Sequence, residues 1–79
     1  MKVLVTGGLG FIGSNLVRRL LADAAAVRVV DALRPGDGGN RFNLDGVLPD
    51  VEVLEGALED LTVAERAVAG CEVVYHLAG

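Results

Sequence analysis

The residues that could do chemistry lie close together near the start of the chain, in Val5-Thr6-Gly7-Gly8-Leu9-Gly10-Phe11-Ile12-Gly13-Ser14. Gly7, Gly10 and Gly13 have the spacing GxxGxxG, and Gly8, Gly10 and Gly13 also satisfy GxGxxG. Glycines so spaced suit a backbone that binds an anion. The first permits a tight turn, the middle one lets the main chain approach a diphosphate, and the last lets the following helix pack close to the preceding strand. The N-terminus of that helix then offers unpaired N–H groups and a partial positive charge. Asp31 stands 24 residues after Gly7. A carboxylate at that distance can accept hydrogen bonds from both hydroxyls of an adenosine ribose and repels a 2′-phosphate, so the pair of features points to NAD rather than NADP. Arg34 is the counterweight, because an arginine near the ribose can accommodate a 2′-phosphate, although beside Pro35 it reads as a solvated loop residue.

A glycine triplet means little without a strand before it and a helix after it. Here both are predicted. Four apolar, valine-containing runs cover residues 2–6, 27–30, 51–54 and 72–77. They are largely continuous rather than alternating, the pattern of strands buried on both faces of a parallel sheet. Between the first two runs, Ile12, Leu16, Val17, Leu20 and Leu21 recur at helical spacing, which predicts an amphipathic helix over 11–22. Between the last two, Leu61, Ala64 and Val68 form a second stripe. Thr62 and Glu65 have capping-box spacing, Asp60 competes as N-cap, and Gly70 fits the position that ends the helix. Residues 33–50 carry turn chemistry, with a short helical turn expected around 42–47. Alternating strands and helices imply right-handed crossovers. The expected fold is α/β, a partial Rossmann fold with a four-stranded parallel sheet in the order 3-2-1-4 and helices on both faces.

Composition narrows the partners. Hydrophobic residues make up 52% of the 79, enough for a core in one small domain, and the net charge is −4. No basic stripe is present to suit nucleic acid. No apolar run approaches the roughly 20 residues that span a membrane. Residues 1–5 are too short for a secretory leader, so a cytoplasmic location is the default expectation. One cysteine and one histidine cannot build a structural zinc site, and Cys71 reads as a buried small hydrophobe. Two other residues stay open. Ser14 either faces the anion or merely occupies the first helical turn, and His76 is either a general base or a strand-end residue bonded locally.

Taken together, Thr6-Gly7-Gly8-Leu9-Gly10-Phe11-Ile12-Gly13-Ser14 resembles the TGGxGFIGS signature of the extended short-chain dehydrogenases, the NAD-dependent epimerase/dehydratase family. Val30-Asp31 resembles the end of that family's second strand. Val53-Leu54-Glu55-Gly56 and Val73-Val74-Tyr75-His76-Leu77-Ala78 resemble its third and fourth. The resemblance implies NAD held at Gly7, Gly10, Phe11, Ile12, Gly13 and Asp31 and at the strand end Leu77-Ala78, in proteins that usually act on nucleotide sugars by transient oxidation.

The chain departs from the family pattern in places. Ala57 replaces an Asp that touches the adenine, which leaves Leu58 as the apolar neighbour of the base. Ala32 replaces an Asn after the ribose-binding Asp. Asp23-Ala24-Ala25-Ala26 replaces a glycine at the end of the first helix, and an alanine in the left-handed region there would cost roughly 1 kcal/mol or more.

The family's Tyr-x-x-x-Lys pair has no match: the single tyrosine is Tyr75 and the single lysine Lys2. The expectation is a truncated NAD-binding half-domain over 1–79 with no catalytic residue and no substrate domain, inactive alone. It should self-associate through the uncovered edge of the fourth strand. The alternative is a non-catalytic nucleotide-binding or structural module, an engineered minimal scaffold included.

Overall fold

The computed structural model describes residues 1–23, 25–33 and 39–77. Strands β1 (Lys2–Thr6), β2 (Ala26–Asp31), β3 (Val51–Glu55) and β4 (Val73–His76) form one parallel sheet in the order β3-β2-β1-β4. Helix α1 (Phe11–Ala22) follows β1 and helix α2 (Leu61–Val68) follows β3. This is the expected topology.

The alternation of side chains along a strand assigns each helix its face. Val3 and Val5 of β1 and Val27 and Val29 of β2 pack with Val17 of α1. Leu4 and Val30, from the alternate positions, pack with Ala67 of α2. Two faces are therefore covered, and β1 and β2 in the middle of the sheet are the most deeply buried strands. That explains their unbroken apolar runs. β3 and β4 lie at the two ends of the order, and Val74 and Tyr75 of β4 are exposed.

Element ends follow local chemistry. Gly10 caps α1 with extended backbone and no side-chain bond. Asp60 caps α2, its Oδ1 accepting the N–H of Thr62 at 2.9 Å and of Val63 at 3.4 Å, so the competing capping box at Thr62 and Glu65 is not what starts this helix. Gly70, with φ +75°, ends it. The helical turn expected over 42–47 is two single turns of 3-10 helix, Arg41–Leu44 and Leu48–Asp50, because Pro49 sits inside the second and Gly46, at φ +86°, separates them. Ala25 and Ala26 avoid the left-handed region, while Ala24 lies outside the described residues. Among the described residues, the non-glycine that does adopt it is Leu33, at φ +54°.

At the other end of the strands, Arg28 stabilises the last turn of α2. Its Nη1 donates to the carbonyls of Arg66 and Ala67 at 2.9 Å and of Ala69 at 2.7 Å, where the helix dipole is negative. Its Nε donates to Glu52 at 2.8 Å, and Lys2 Nζ reaches the other oxygen of Glu52 at 3.1 Å. The hydrogen bond from Arg28, then that from Lys2, holds the Glu52 carboxyl below its ordinary value, against the opposing effect of burial. The bond to Glu52 likewise raises Arg28. A depressed folded-state value means that Glu52 contributes its full stabilisation above the ordinary glutamate pKa of about 4.3 and loses it as pH falls through the lowered value. Glu52→Gln is therefore expected to melt below wild type at neutral pH and to converge with it in acid. Parallel melting curves, offset equally at all pH values, would rule this out.

Candidate functional site

β1 delivers the chain to the centre of the sheet's carboxyl edge, and there it must turn into α1. Gly7 N–H donates to the Val30 carbonyl at 2.9 Å, which fastens the start of the turn to the neighbouring strand. Gly7 adopts φ +70°, so it makes the tight turn and the GxxGxxG reading of the triplet is the structural one. Gly8 faces the sheet, and a Cβ there would lie 2.6 Å from Val29 Cγ1. Gly13 faces back across the turn, and a Cβ there would lie 2.3 Å from the Gly7 carbonyl oxygen and 2.8 Å from Gly8 Cα. The last glycine thus allows the helix to sit against the strand end, as its place in the motif implied.

Gly10 differs from all of these. Its φ of −76° and ψ of 173° are open to any residue. Among the described residues, a Cβ there would meet only the Gly7 carbonyl oxygen, at 3.4 Å, an ordinary contact. Neither backbone conformation nor packing among the described residues calls for glycine at this position. What remains is space on the outer side. Into that space faces a helix end with no side-chain cap. The first intrahelical bond runs from Ser14 N–H to the Gly10 carbonyl, so the N–H groups of Phe11, Ile12 and Gly13 precede it. The side chains of Phe11 and Ile12 are 77% and 73% exposed.

Asp31, the last residue of β2, is brought to this loop. Its Oδ2 accepts the N–H of Leu9 at 3.1 Å and its Oδ1 the N–H of Leu33 at 2.9 Å. The second bond spans two residues and holds Leu33 in its left-handed turn. A carboxylate has about four acceptor sites, and the bonds from Leu9 and Leu33 use two of them. Gly39 passes close by, where a Cβ would lie 2.9 Å from Asp31 Oδ1. Arg34 lies outside the described residues.

The remaining expected positions are more scattered. Leu58 follows β3 and is half-buried, packed against the cluster of Leu4, Val30 and Ala67 under α2. Leu77 follows β4, its N–H bonded to the Thr6 carbonyl at 3.2 Å and to Thr6 Oγ1 at 2.9 Å, with its side chain exposed. Ala78 lies outside the described residues. Ser14 is buried and its hydroxyl donates to the Phe11 carbonyl at 2.9 Å, the first-turn arrangement. His76 Nδ1 shares a 2.9 Å hydrogen bond with Thr6 Oγ1, the local strand-end arrangement. Cys71 is half-buried rather than buried, because its Sγ turns to the Ala67 carbonyl at the edge of the α2 cluster. Tyr75 and Lys2 are not brought together. Tyr75 is in register with Val5, three residues along β1 from Lys2, whose ammonium is bound to Glu52.

Sequence reasoning missed the loop residues Asn40 and Asn43. Both bond to the Leu9 carbonyl, Asn40 through its N–H at 3.0 Å and Asn43 through Nδ2 at 2.7 Å. Their only signal was turn composition, which does not say what a turn will touch.

Known proteins share this arrangement. The sequence profile of the NAD dependent epimerase/dehydratase family matches residues 3–79. The low-salt glycan biosynthesis protein Agl12 of Haloferax volcanii is 43% identical over 81 residues, which cover 99% of this chain and 26% of that protein. The structure of dTDP-glucose 4,6-dehydratase from Bacillus anthracis, in complex with NAD, superposes with a TM-score of 0.88 at 29% identity, covering 100% of this chain and 27% of the other. The Thermus thermophilus UDP-glucose 4-epimerase, also in complex with NAD, gives 0.81 at 40% identity, covering 100% and 24%. The chain thus spans about a quarter of the length of these relatives. With the family profile running through β1, the glycine turn, Asp31 and β4, the chain belongs to the NAD-dependent epimerase/dehydratase family.

Proposed function

We propose that this chain binds NAD, with the diphosphate at residues 7–13 and the adenosine ribose on Asp31, as the cofactor-holding part of an oxidoreductase-type site for nucleotide sugars. The observation that carries the reading is Gly10, a glycine that nothing among the described residues requires, placed beside helix N–H groups with no side-chain cap. A diphosphate fits both properties: it needs close main-chain approach, and its negative charge is stabilised at a helix N-terminus. The acceptor sites that the described residues leave on Asp31 suit the ribose hydroxyls, and its charge opposes a 2′-phosphate, which favours NAD over NADP.

The exposed side chains of Phe11, Ile12 and Leu77 would flank the bound cofactor, with Leu58 and Ala78 at the neighbouring strand ends. NAD supplies a hydride acceptor when bound. Residues 1–79 supply binding and orientation, and the reading assigns them no proton transfer, since Tyr75 and Lys2 stand apart. Support for a sugar nucleotide is the similarity to the dTDP-glucose 4,6-dehydratase and the UDP-glucose 4-epimerase.

Titration calorimetry with NAD and NADP tests the proposal. Saturable heat with NAD, and weaker binding of NADP, is expected; no heat at millimolar NAD overturns it. Sedimentation of the same samples addresses the β4 edge. Exposed Val74 and Tyr75 on an end strand favour association, and a concentration-independent monomer would refute that part.

A further inference from the structure

The Leu9–Gly10 peptide is clamped at both ends. Its carbonyl accepts from Asn40 N–H and Asn43 Nδ2, and its N–H, on Gly10, donates to the Gly7 carbonyl at 3.1 Å. A peptide unit is planar, so fixing the C=O and the N–H fixes the whole plane. Rotation about the next bond, at Gly10, then decides where the Phe11 N–H points. The Leu9 side chain is wholly buried and its own N–H is bound to Asp31. The segment that bears Asn43 is in turn tied to α1, because Arg18 Nη2 donates to the carbonyls of Asn43 at 3.0 Å and Asp45 at 2.8 Å. Leu44, between them, is wholly buried in the core under α1. A residue 34 positions from Leu9 therefore reaches the turn from a fixed platform.

We propose that Asn43 is a positioning residue for diphosphate binding: by holding the Leu9 carbonyl it sets the Leu9–Gly10 peptide, and through it the direction of the helix N–H groups. The proposal rests on the dinucleotide reading above. It concerns a residue that touches no ligand, and it separates two effects. Loss of the Asn43 amide loosens the turn that meets the diphosphate and leaves Asp31 bonded to Leu9 and Leu33. Ligands with a diphosphate should suffer, and ligands with only the nucleoside should not.

The test compares Asn43→Ala and Asn43→Asp with wild type. NAD and ADP are titrated by calorimetry, adenosine is titrated by NMR, and melting is recorded for each protein. Removal of one directing hydrogen bond should weaken NAD and ADP by about tenfold, with adenosine affinity within about twofold of wild type. Arg18→Ala, which removes one tie on that segment but leaves the Asn43 amide and the buried Leu44 in place, should lower the melting temperature and weaken NAD and ADP less than either Asn43 variant. Equal loss for all three ligands in the Asn43 variants overturns the proposal, as does unchanged NAD affinity. Failure of both variants to fold assigns Asn43 to the fold and overturns it as well. A wild-type protein that binds neither NAD nor ADP instead removes the dinucleotide reading itself, and this inference falls with it.

Discussion

Gly10→Val is expected to abolish NAD binding while leaving the fold in place, and Gly13→Ala to damage both. The contrast comes from what surrounds each position. At Gly10 the backbone is extended, and an added Cβ makes a single ordinary contact among the described residues. The cost to folding is that of a poor N-cap residue, about 1 kcal/mol, or a fall of some 4–8 °C in melting temperature for a chain of this size. The isopropyl group occupies the space through which a diphosphate would reach the N–H groups of Phe11 and Ile12. Charge-assisted hydrogen bonds are worth about 1.5–3 kcal/mol each, so losing even two of them weakens binding by roughly a hundredfold or more.

At Gly13 the new methyl group would sit 2.3 Å from a backbone oxygen and 2.8 Å from a backbone carbon. Neither atom can rotate away, so α1 must move off the strand end. Overpacking of this kind costs about 1–3 kcal/mol, and the gain of up to about 1 kcal/mol from alanine's helix propensity does not offset it. Thermal melts and NAD titrations of the two variants check the pair. Full NAD affinity in Gly10→Val would mean that no ligand approaches at that position.

The second large effect is expected at Asp31. Asp31→Ala removes the proposed acceptors for both ribose hydroxyls and strips the partners from Leu9 N–H and Leu33 N–H. Leaving such groups unsatisfied costs about 1–3 kcal/mol for a buried donor. The Leu9 donor is the more costly of the two, since Leu9 is wholly buried and Leu33 half-buried. NAD affinity should fall by about a hundredfold, with a lower melting temperature and a relaxed preference for NAD over NADP. Asp31→Asn separates these effects. Its amide oxygen still accepts from one loop N–H, so stability partly returns, while the charge that opposes a 2′-phosphate is gone and the cofactor preference stays relaxed. An NAD to NADP affinity ratio unchanged in Asp31→Asn would show that the carboxylate does not face the ribose.

Much of this architecture could be read in advance because it depends on local pattern. The helix α1 spans the residues its stripe marked, since Ile12, Leu16, Val17, Leu20 and Leu21 repeat at the helical period and the glycines leave no other start. The strands were found to within a residue or two, and their order followed from handedness and connection rules. Asp31 reached the glycine turn because β1 and β2 are adjacent and parallel, which brings their carboxyl ends together. The misses have a common origin. The capping box at Thr62 and Glu65 lost to Asp60 because both signals fit the same helix start and only the backbone path chooses between them. Among the described residues the non-glycine in the left-handed region is Leu33, where the Asp31 side chain holds the turn, and no sequence signal marked it. Leu58, expected beside the base, also uses part of its surface to cover Leu4 and Val30, which only the packing of the α2 face shows.

The order of residues by itself determined the parallel sheet, the glycine turn between β1 and α1, and the carboxylate at the end of the next strand. These features arise from periodicity and from residue types that few other conformations tolerate. The division of labour among the glycines, and the bonds from Asn40 and Asn43 to Leu9, were decided by the tertiary structure alone. They depend on which backbone atoms from distant parts of the chain come within about 3 Å of each other, and turn composition holds no record of that.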